Sequence, residues 1–211
     1  HSANIQNNQV NFIDNDHSCR AFYFARSTNT IFTKNFVKNA NVHTRTSSGS
    51  CITFHSTEQS TPLRISDCTF ENCLGYSISS TTVNLFIHDS VIFFNQKERK
   101  SSCGGIFVQN SDKTEIDNVQ FIGIIDNPAL LIKQTIDSTT DLIVNCCVFD
   151  SCSGGKFFDI SSKTSSIVFS NNVVKNSVVE ERSNNYLGSI NCNFKINVLD
   201  VVNMTVCDNK L

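Results

Sequence analysis

The chain reads as an all-β solenoid, a parallel β-helix of about eight coils, and three observations carry that reading. The stretch Leu63 to Cys73, LRISDCTFENC, returns from Leu142 to Cys152 as LIVNCCVFDSC, with Leu63, Ile65 and Phe70 answered by Leu142, Val144 and Phe149. Weaker copies of the same figure follow along the rest of the 211 residues. The composition also favours strands: β-branched residues, Asn, Ser and Thr abound beside seventeen Phe, while Trp is absent and Met occurs once.

Taking Phe70 and Phe149 as anchors, the unit aligns on Val10, Phe36, Phe70, Ile92, Phe121, Phe149, Val174 and Val206, which lie 22 to 34 residues apart. Val173 is an equally fair seventh anchor. An alternating apolar strand precedes most anchors: Ile65 before Phe70, Leu85 and Ile87 before Ile92, Ile116 before Phe121, Leu142 and Val144 before Phe149. Ile167 and Phe169 precede Val174, and Leu199 and Val201 precede Val206. Three residues after several anchors comes Asn or Cys, as at Asn39, Cys73, Asn95, Cys152 and Asn209.

A second strand follows: CITF at Cys51, GYSI at Gly75, GGIFV at Gly104, ALLI at Ala129 and GGKFF at Gly154, with end copies AFYF at Ala21 and LGSI at Leu187. Turns rich in Ser, Thr, Asp, Lys and Asn close each unit, at 79–82, 110–114, 137–141 and 161–166. These side chains suit turns because they bond the local backbone. A unit of this length cannot bury its own apolar face, so successive units must stack, with parallel pairing about 4.8 Å apart. A β-sandwich would need hairpin signals such as Asn-Gly or Asp-Gly, and the sequence has none.

Two elements resemble a known family. Phe36-Val37-Lys38-Asn39 is an FxxN element, and Gly104-Gly105-Ile106 and Gly154-Gly155-Lys156 are similar to GGA[ILV]. Their alternation resembles the polymorphic membrane protein repeats, described in chlamydial surface proteins and in protist surface families. Cys147 to Cys152 is similar to the protist versions. The resemblance implies the right-handed parallel β-helix of the pectate lyase-like superfamily and a cell-surface setting. Fold alone does not carry function.

The pattern begins by about Ile5 and still runs at Val206, with no clear capping helix at either end. The expectation is one domain over 1–211 that is a segment of a longer β-helix, or that continues by stacking end to end on another chain. The long insertions 40–50, 96–102 and 177–186 all follow an anchor and should emerge on one edge, where repeat proteins place binding loops. Lys97, Arg99 and Lys100, and Glu180, Glu181 and Arg182, are the candidate partner contacts there, against the plainer reading of solvated turns.

Cys19, Cys51, Cys73, Cys103 and Cys152 occupy similar places before the second strand. Cys51, Cys73 and Cys103 are positioned for a disulfide ladder between adjacent coils, and Cys68/Cys73 and Cys147/Cys152 for links within a coil; equally, each suits a reduced ladder position. The sequon Asn203-Met204-Thr205 stands at a place equivalent to Asp67 and Cys146.

A net charge of −2 with 17% charged residues lacks the basic footprint of a nucleic-acid binder. No apolar run is long enough for a membrane span, and no CxxC with matching His suggests a metal or cofactor. Glu115 and Asp117 alternate outward on one strand, but neighbouring coils offer His88 and Asn145 rather than a second acidic pair, as glycoside hydrolysis would need. Asp14 and Asp16 likewise lack an acidic partner. The function expected is therefore a non-enzymatic, adhesin-like spacer and interaction surface for a protein or glycan partner. The alternatives are a carbohydrate-active β-helix and an intracellular, end-stacking structural component.

Overall fold

The structure, a computed structural model, describes residues 2–12, 20–26, 29–40, 50–56, 61–81, 83–95, 103–133, 140–154, 158–161, 164–179, 196–198 and 201–207. These residues form a parallel β-helix, and none of them is helical. The first sheet stacks eight strands: Ala3–Gln6, Thr30–Thr33, Thr61–Ser66, Val83–His88, Lys113–Asp117, Thr140–Asn145, Thr164–Ser170 and Val201–Cys207. The second stacks seven three-residue strands: Gln9–Asn11, Phe36–Lys38, Thr69–Glu71, Val91–Phe93, Gln120–Ile122, Val148–Asp150 and Val173–Lys175. The third runs from Phe22–Ala25 through Ser50–His55, Gly75–Thr81, Cys103–Gln109, Leu130–Lys133 and Phe158–Ser161 to Ile196–Val198. Neighbours within each sheet pair in parallel, for example Leu63 with Leu85 and Phe121 with Phe149.

Chain direction changes at two recurring corners. Between first and second sheets, Asn7, Lys34, Asp67, Asp89, Asn118, Cys146 and Asn171 each adopt a left-handed backbone, with φ from 49° to 59°. Asn and Asp tolerate this region better than other side-chain-bearing residues, which explains the punctuation read in the repeat. Between second and third sheets, Asn39, Asn72, Gly123, Ser151 and Asn176 do the same.

Inward columns fill the interior. Val37, Phe70, Ile92, Phe121, Phe149 and Val174 stack in the second sheet, and Phe32, Ile65, Ile87, Ile116, Val144 and Phe169 in the first; all are buried. Phe121 and Phe149 lie face to face at 4.9 Å between ring centroids, as do Phe24 and Phe54 at 4.6 Å. Each such side chain removed from water contributes roughly 1.5–3 kcal/mol.

Several expectations need correction. The second anchor is Val37, not Phe36: Val37 pairs with Phe70 and is buried, whereas Phe36 pairs with Thr69 and faces outward. Val206 is the register partner of Phe169 in the first sheet, one strand earlier than an anchor. Asn203 pairs with Ser166 early in its strand, so it is not equivalent to Asp67 or Cys146 at the corner. Ser79–Thr81, Thr140–Asp141 and Thr164–Ser166 belong to strands rather than turns. Although the first sheet has eight strands, about five coils, from Thr30 to Ser161, carry three strands around a closed core; the first coil is only half buried. LGSI at Leu187, Leu199 and Asn209 lie outside the described residues.

The Gly104-Gly105 pair has a steric cause. A Cβ on Gly105 would collide with the Ala129 carbonyl oxygen and come within 2.9 Å of the Phe121 ring, because the next coil passes directly over it. A Cβ on Gly104 would meet the Tyr76 ring at 2.6 Å. Gly105→Ala should cost about 3 kcal/mol or more, since backbone must move. Gly104→Ala should cost less, because the atoms it would meet belong to side chains rather than to the backbone. Thermal unfolding of the two variants checks the order; equal or reversed losses would contradict the register.

Candidate functional site

The shared register lines up outward side chains as strictly as inward ones. Along the last position of the first-sheet strands run Thr33, Ser66, His88, Asp117, Asn145 and Ser170. Thr33 and Ser66 share a hydrogen bond at 2.9 Å between hydroxyl oxygens. His88 Nδ1 lies 3.8 Å from Asp117 Oδ2, and both are about one-third exposed. Asn145 Nδ2 donates to Asp117 Oδ1 at 2.8 Å, while Ser170 Oγ and Asn171 Nδ2 each donate to Asn145 Oδ1 at 2.9 Å. Beside this column, Asn118 Nδ2 donates to Asp89 Oδ1 at 2.6 Å. The expected flanking of Asp117 by His88 and Asn145 holds.

Sequence spacing did not show that Ser66 joins this column next to His88, so that Ser, His and Asp follow one another on three coils. The chemistry of a nucleophilic triad asks for more. Ser66 Oγ is hydrogen-bonded to Thr33, and the His88–Asp117 separation exceeds a hydrogen bond. Glu115 is held by Lys113, 3.2 Å away, and its column neighbour Phe86 has Arg64 and Lys113 against its ring at 5.3 and 5.4 Å. Asp14 and Asp16 are outside the described residues. Among the described residues no group of three His, Cys, Asp or Glu side chains is arranged to hold a metal ion.

The cysteines form the inner counterpart. Cys68 and Cys147 follow the left-handed residue of the first corner and point inward, in the column shared by Asn35, Ser90, Val119 and Asn172. Cys73 and Cys152 hold the matching place at the second corner, with Ser177. Each thiol can donate both to its own strand and to the preceding coil. Cys68 Sγ lies 3.1 Å from the Ser66 oxygen and 3.5 Å from that of Phe32; Cys147 Sγ lies 3.2 Å from the Asn145 oxygen and 3.6 Å from that of Ile116. Asn35 and Asn172 reach the equivalent carbonyls of Ile5 and Val144 through their amides, and Ser177 reaches Lys175 and Phe149. Cys, Ser and Asn are therefore alternative donors at one kind of position.

Cys51, Cys73 and Cys103 do not share a register position. Cys51 lies opposite Ser77, between the pairs Ser50–Tyr76 and Ile52–Ile78, whereas Cys103 pairs with Gly75 and Cys73 sits at the corner before it. All three are buried and outside any disulfide, as are Cys68, Cys147 and Cys152; Cys146 is exposed and likewise outside any disulfide, and Cys19 lies outside the described residues. Lys97, Arg99, Lys100, Glu180, Glu181 and Arg182 also lie outside the described residues. The segments bearing them, 96–102 and 180–195, join second-sheet to third-sheet strands, as does 41–49.

Comparison with protein-family models, with curated proteins and with solved structures finds no match to the chain.

Burial pushes the Cys68 thiol up to about 11, against the lowering effect of hydrogen bonds from Asn35. Burial, reinforced by the charge of Asp117, pushes Cys147 up to about 12, and burial with the charge of Asp150 does the same to Cys152. A folded-state pKa above the unfolded value stabilises fully below the unfolded pKa, near 9, and loses that contribution as pH rises through the folded value. Stability to denaturant should thus fall between pH 9 and 12, and the fall should shrink in Cys147→Ser, which keeps a donor that does not ionise. An unchanged slope in that variant would contradict the donor role.

Proposed function

We propose that the chain is a non-enzymatic β-helix module of a larger surface protein, serving as a rigid spacer and interaction surface. The observation that supports this best is the unbroken stacking of corners and columns. It holds outward side chains in rows parallel to the long axis and commits Glu71, Asp117 and Asp150 to neighbours in those rows. Lys38 and Glu71 pair at 2.7 Å, Lys175 and Asp150 at 3.2 Å, and Asp117 is shared by His88 and Asn145. Among the described residues, Glu71, Asp117 and Asp150 are each engaged by a neighbour in their row rather than opposed to a second carboxylate, as a glycosidase would need. The edge where 41–49, 96–102 and 180–195 leave the second sheet is the partner-binding edge in this reading, through Lys97, Arg99, Lys100, Glu180, Glu181 and Arg182.

The buried thiols of Cys68, Cys73, Cys147 and Cys152, which act as hydrogen-bond donors, favour a second reading, an intracellular structural component that stacks end to end. Buried, protonated cysteines used as donors suit a reducing compartment, where disulfides do not persist.

Incubation with acidic and neutral polysaccharides tests the non-enzymatic role. Intact polymer after long incubation is expected, whether or not the protein binds it. Cleavage that disappears in Asp117→Asn would overturn the spacer reading in favour of a carbohydrate-active enzyme.

A further inference from the structure

Asn203-Met204-Thr205 is the one Asn-X-Ser/Thr sequon in the 211 residues, and nothing above makes use of it. Its strand, Val201–Cys207, pairs in parallel with Thr164–Ser170. Asn203 is the register partner of Ser166, Met204 of Ile167, Thr205 of Val168 and Val206 of Phe169. In the neighbouring strand Ile167 and Phe169 are buried, whereas Ser166 and Val168 are partly exposed. One coil earlier the alternation is the same, with Leu142 and Val144 buried and Asp141 and Ile143 partly exposed. The register therefore puts Asn203 and Thr205 together on the outer face of the first sheet, as residues two apart on a strand must be. There Asn203 continues the polar row Lys113, Asp141, Ser166.

The asparagines that hold the corners are kept out of sequons by the fold itself. Asn35 and Asn172 are 2% and 0% exposed, and their amides donate to the carbonyls of Ile5 and Val144. A close-packed interior has no room for a sugar on either nitrogen. Two residues after them come the core positions Val37 and Val174, which a sequon would have to make Ser or Thr. Asn118 and Asn145, whose amides hold Asp89 and Asp117, are followed at the same distance by Gln120 and Cys147. The single sequon falls away from the corners, within an outer row.

We propose that Asn203 is an N-glycosylation site. The step is a group transfer from an oligosaccharide carried on a lipid diphosphate. Asn203 Nδ2 forms a bond to the anomeric carbon while the bond from that carbon to the diphosphate oxygen breaks. The bonding pair leaves on the lipid diphosphate, and the amide nitrogen gives up one proton. Thr205 supplies the hydroxyl that the sequon requires at its third position. A sugar here adds to a row that is already polar and leaves the core columns and the corners untouched. The proposal rests on the surface-protein reading, because this transfer acts on chains that enter the secretory route.

Two preparations of the full chain keep the site and that reading apart. One is the protein isolated from its own source; the other is the same chain sent through the secretory route of a eukaryotic cell by an added signal peptide. Peptide mass mapping should find one oligosaccharide at Asn203 in both, removed by peptide N-glycanase. Asn203→Gln and Thr205→Ala should lose it, and Thr205→Ser should keep it. The circular dichroism spectrum and melting temperature of the glycosylated chain should match those of Asn203→Gln. A secreted chain that is bare at Asn203, or one whose glycan lowers the melting temperature, would overturn the site and leave the spacer reading standing. A bare native protein beside a glycosylated secreted form would overturn the proposal through the surface reading on which it rests.

Discussion

A coil of this protein can close only if the chain turns its corners without stranding a buried amide. The first corner meets that constraint in the same way each time. A left-handed residue reverses the backbone, and the carbonyl of the inward residue after it accepts the amide that opens the next coil's second-sheet strand. Phe36, Thr69, Val91, Gln120, Val148 and Val173 donate to the carbonyls of Asn8, Asn35, Cys68, Ser90, Val119 and Cys147 at 2.8–3.0 Å. The inward side chain then ties the corner to the coil before it, through an amide in Asn35 and Asn172 and a thiol in Cys68 and Cys147. Unmet buried polar groups cost about 1–3 kcal/mol each, so a corner repeated seven times dominates what the sequence may vary.

From that constraint follow both surfaces of the molecule. Inside, fixed register sets Phe on Phe and Ile on Ile, which the third sheet completes with Ile52, Ile78, Ile106 and Leu130. Outside, the same register produces rows, and the chemistry of a row depends on what its neighbours neutralise. Asp150 illustrates this. Desolvation acts to raise its pKa, but hydrogen bonds from Asn176, Lys175 and Ser151 and the charge of Lys175 outweigh it, and the carboxyl is held below its ordinary value. An acid kept ionised and ligated in this way is suited to recognition rather than to proton transfer.

Much of the fold was legible because the two strongest repeats carry every element of the corner. In LRISDCTFENC and LIVNCCVFDSC, Asp67 and Cys146 are the left-handed residues, Cys68 and Cys147 the inward donors, and Phe70 and Phe149 the core. The exchange of Phe36 for Val37 shows where legibility ends. A three-residue strand with apolar residues at two adjacent positions has no period to read, and only pairing with Phe70 decides which one points inward. Val206 was misplaced for a related reason, because an apolar residue near a strand end serves either sheet. The outer polar column was half visible, through His88, Asp117 and Asn145; Ser66 and the outer-face place of Asn203 required the register itself. The cysteine spacing left links between coils and reduced ladder positions equally open; Cys68, Cys73, Cys147 and Cys152 stand at hydrogen-bond positions that Ser and Asn also fill.

Coils are locked to one another through the first-corner carbonyls, and amide hydrogen exchange tests this lock residue by residue. The amides of Thr69, Val91, Gln120 and Val148 should be among the slowest in the protein, opening only with global unfolding. Their exchange at the rate of exposed chain, with the flanking first-sheet strands still protected, would contradict the corner ladder and the stacking built on it.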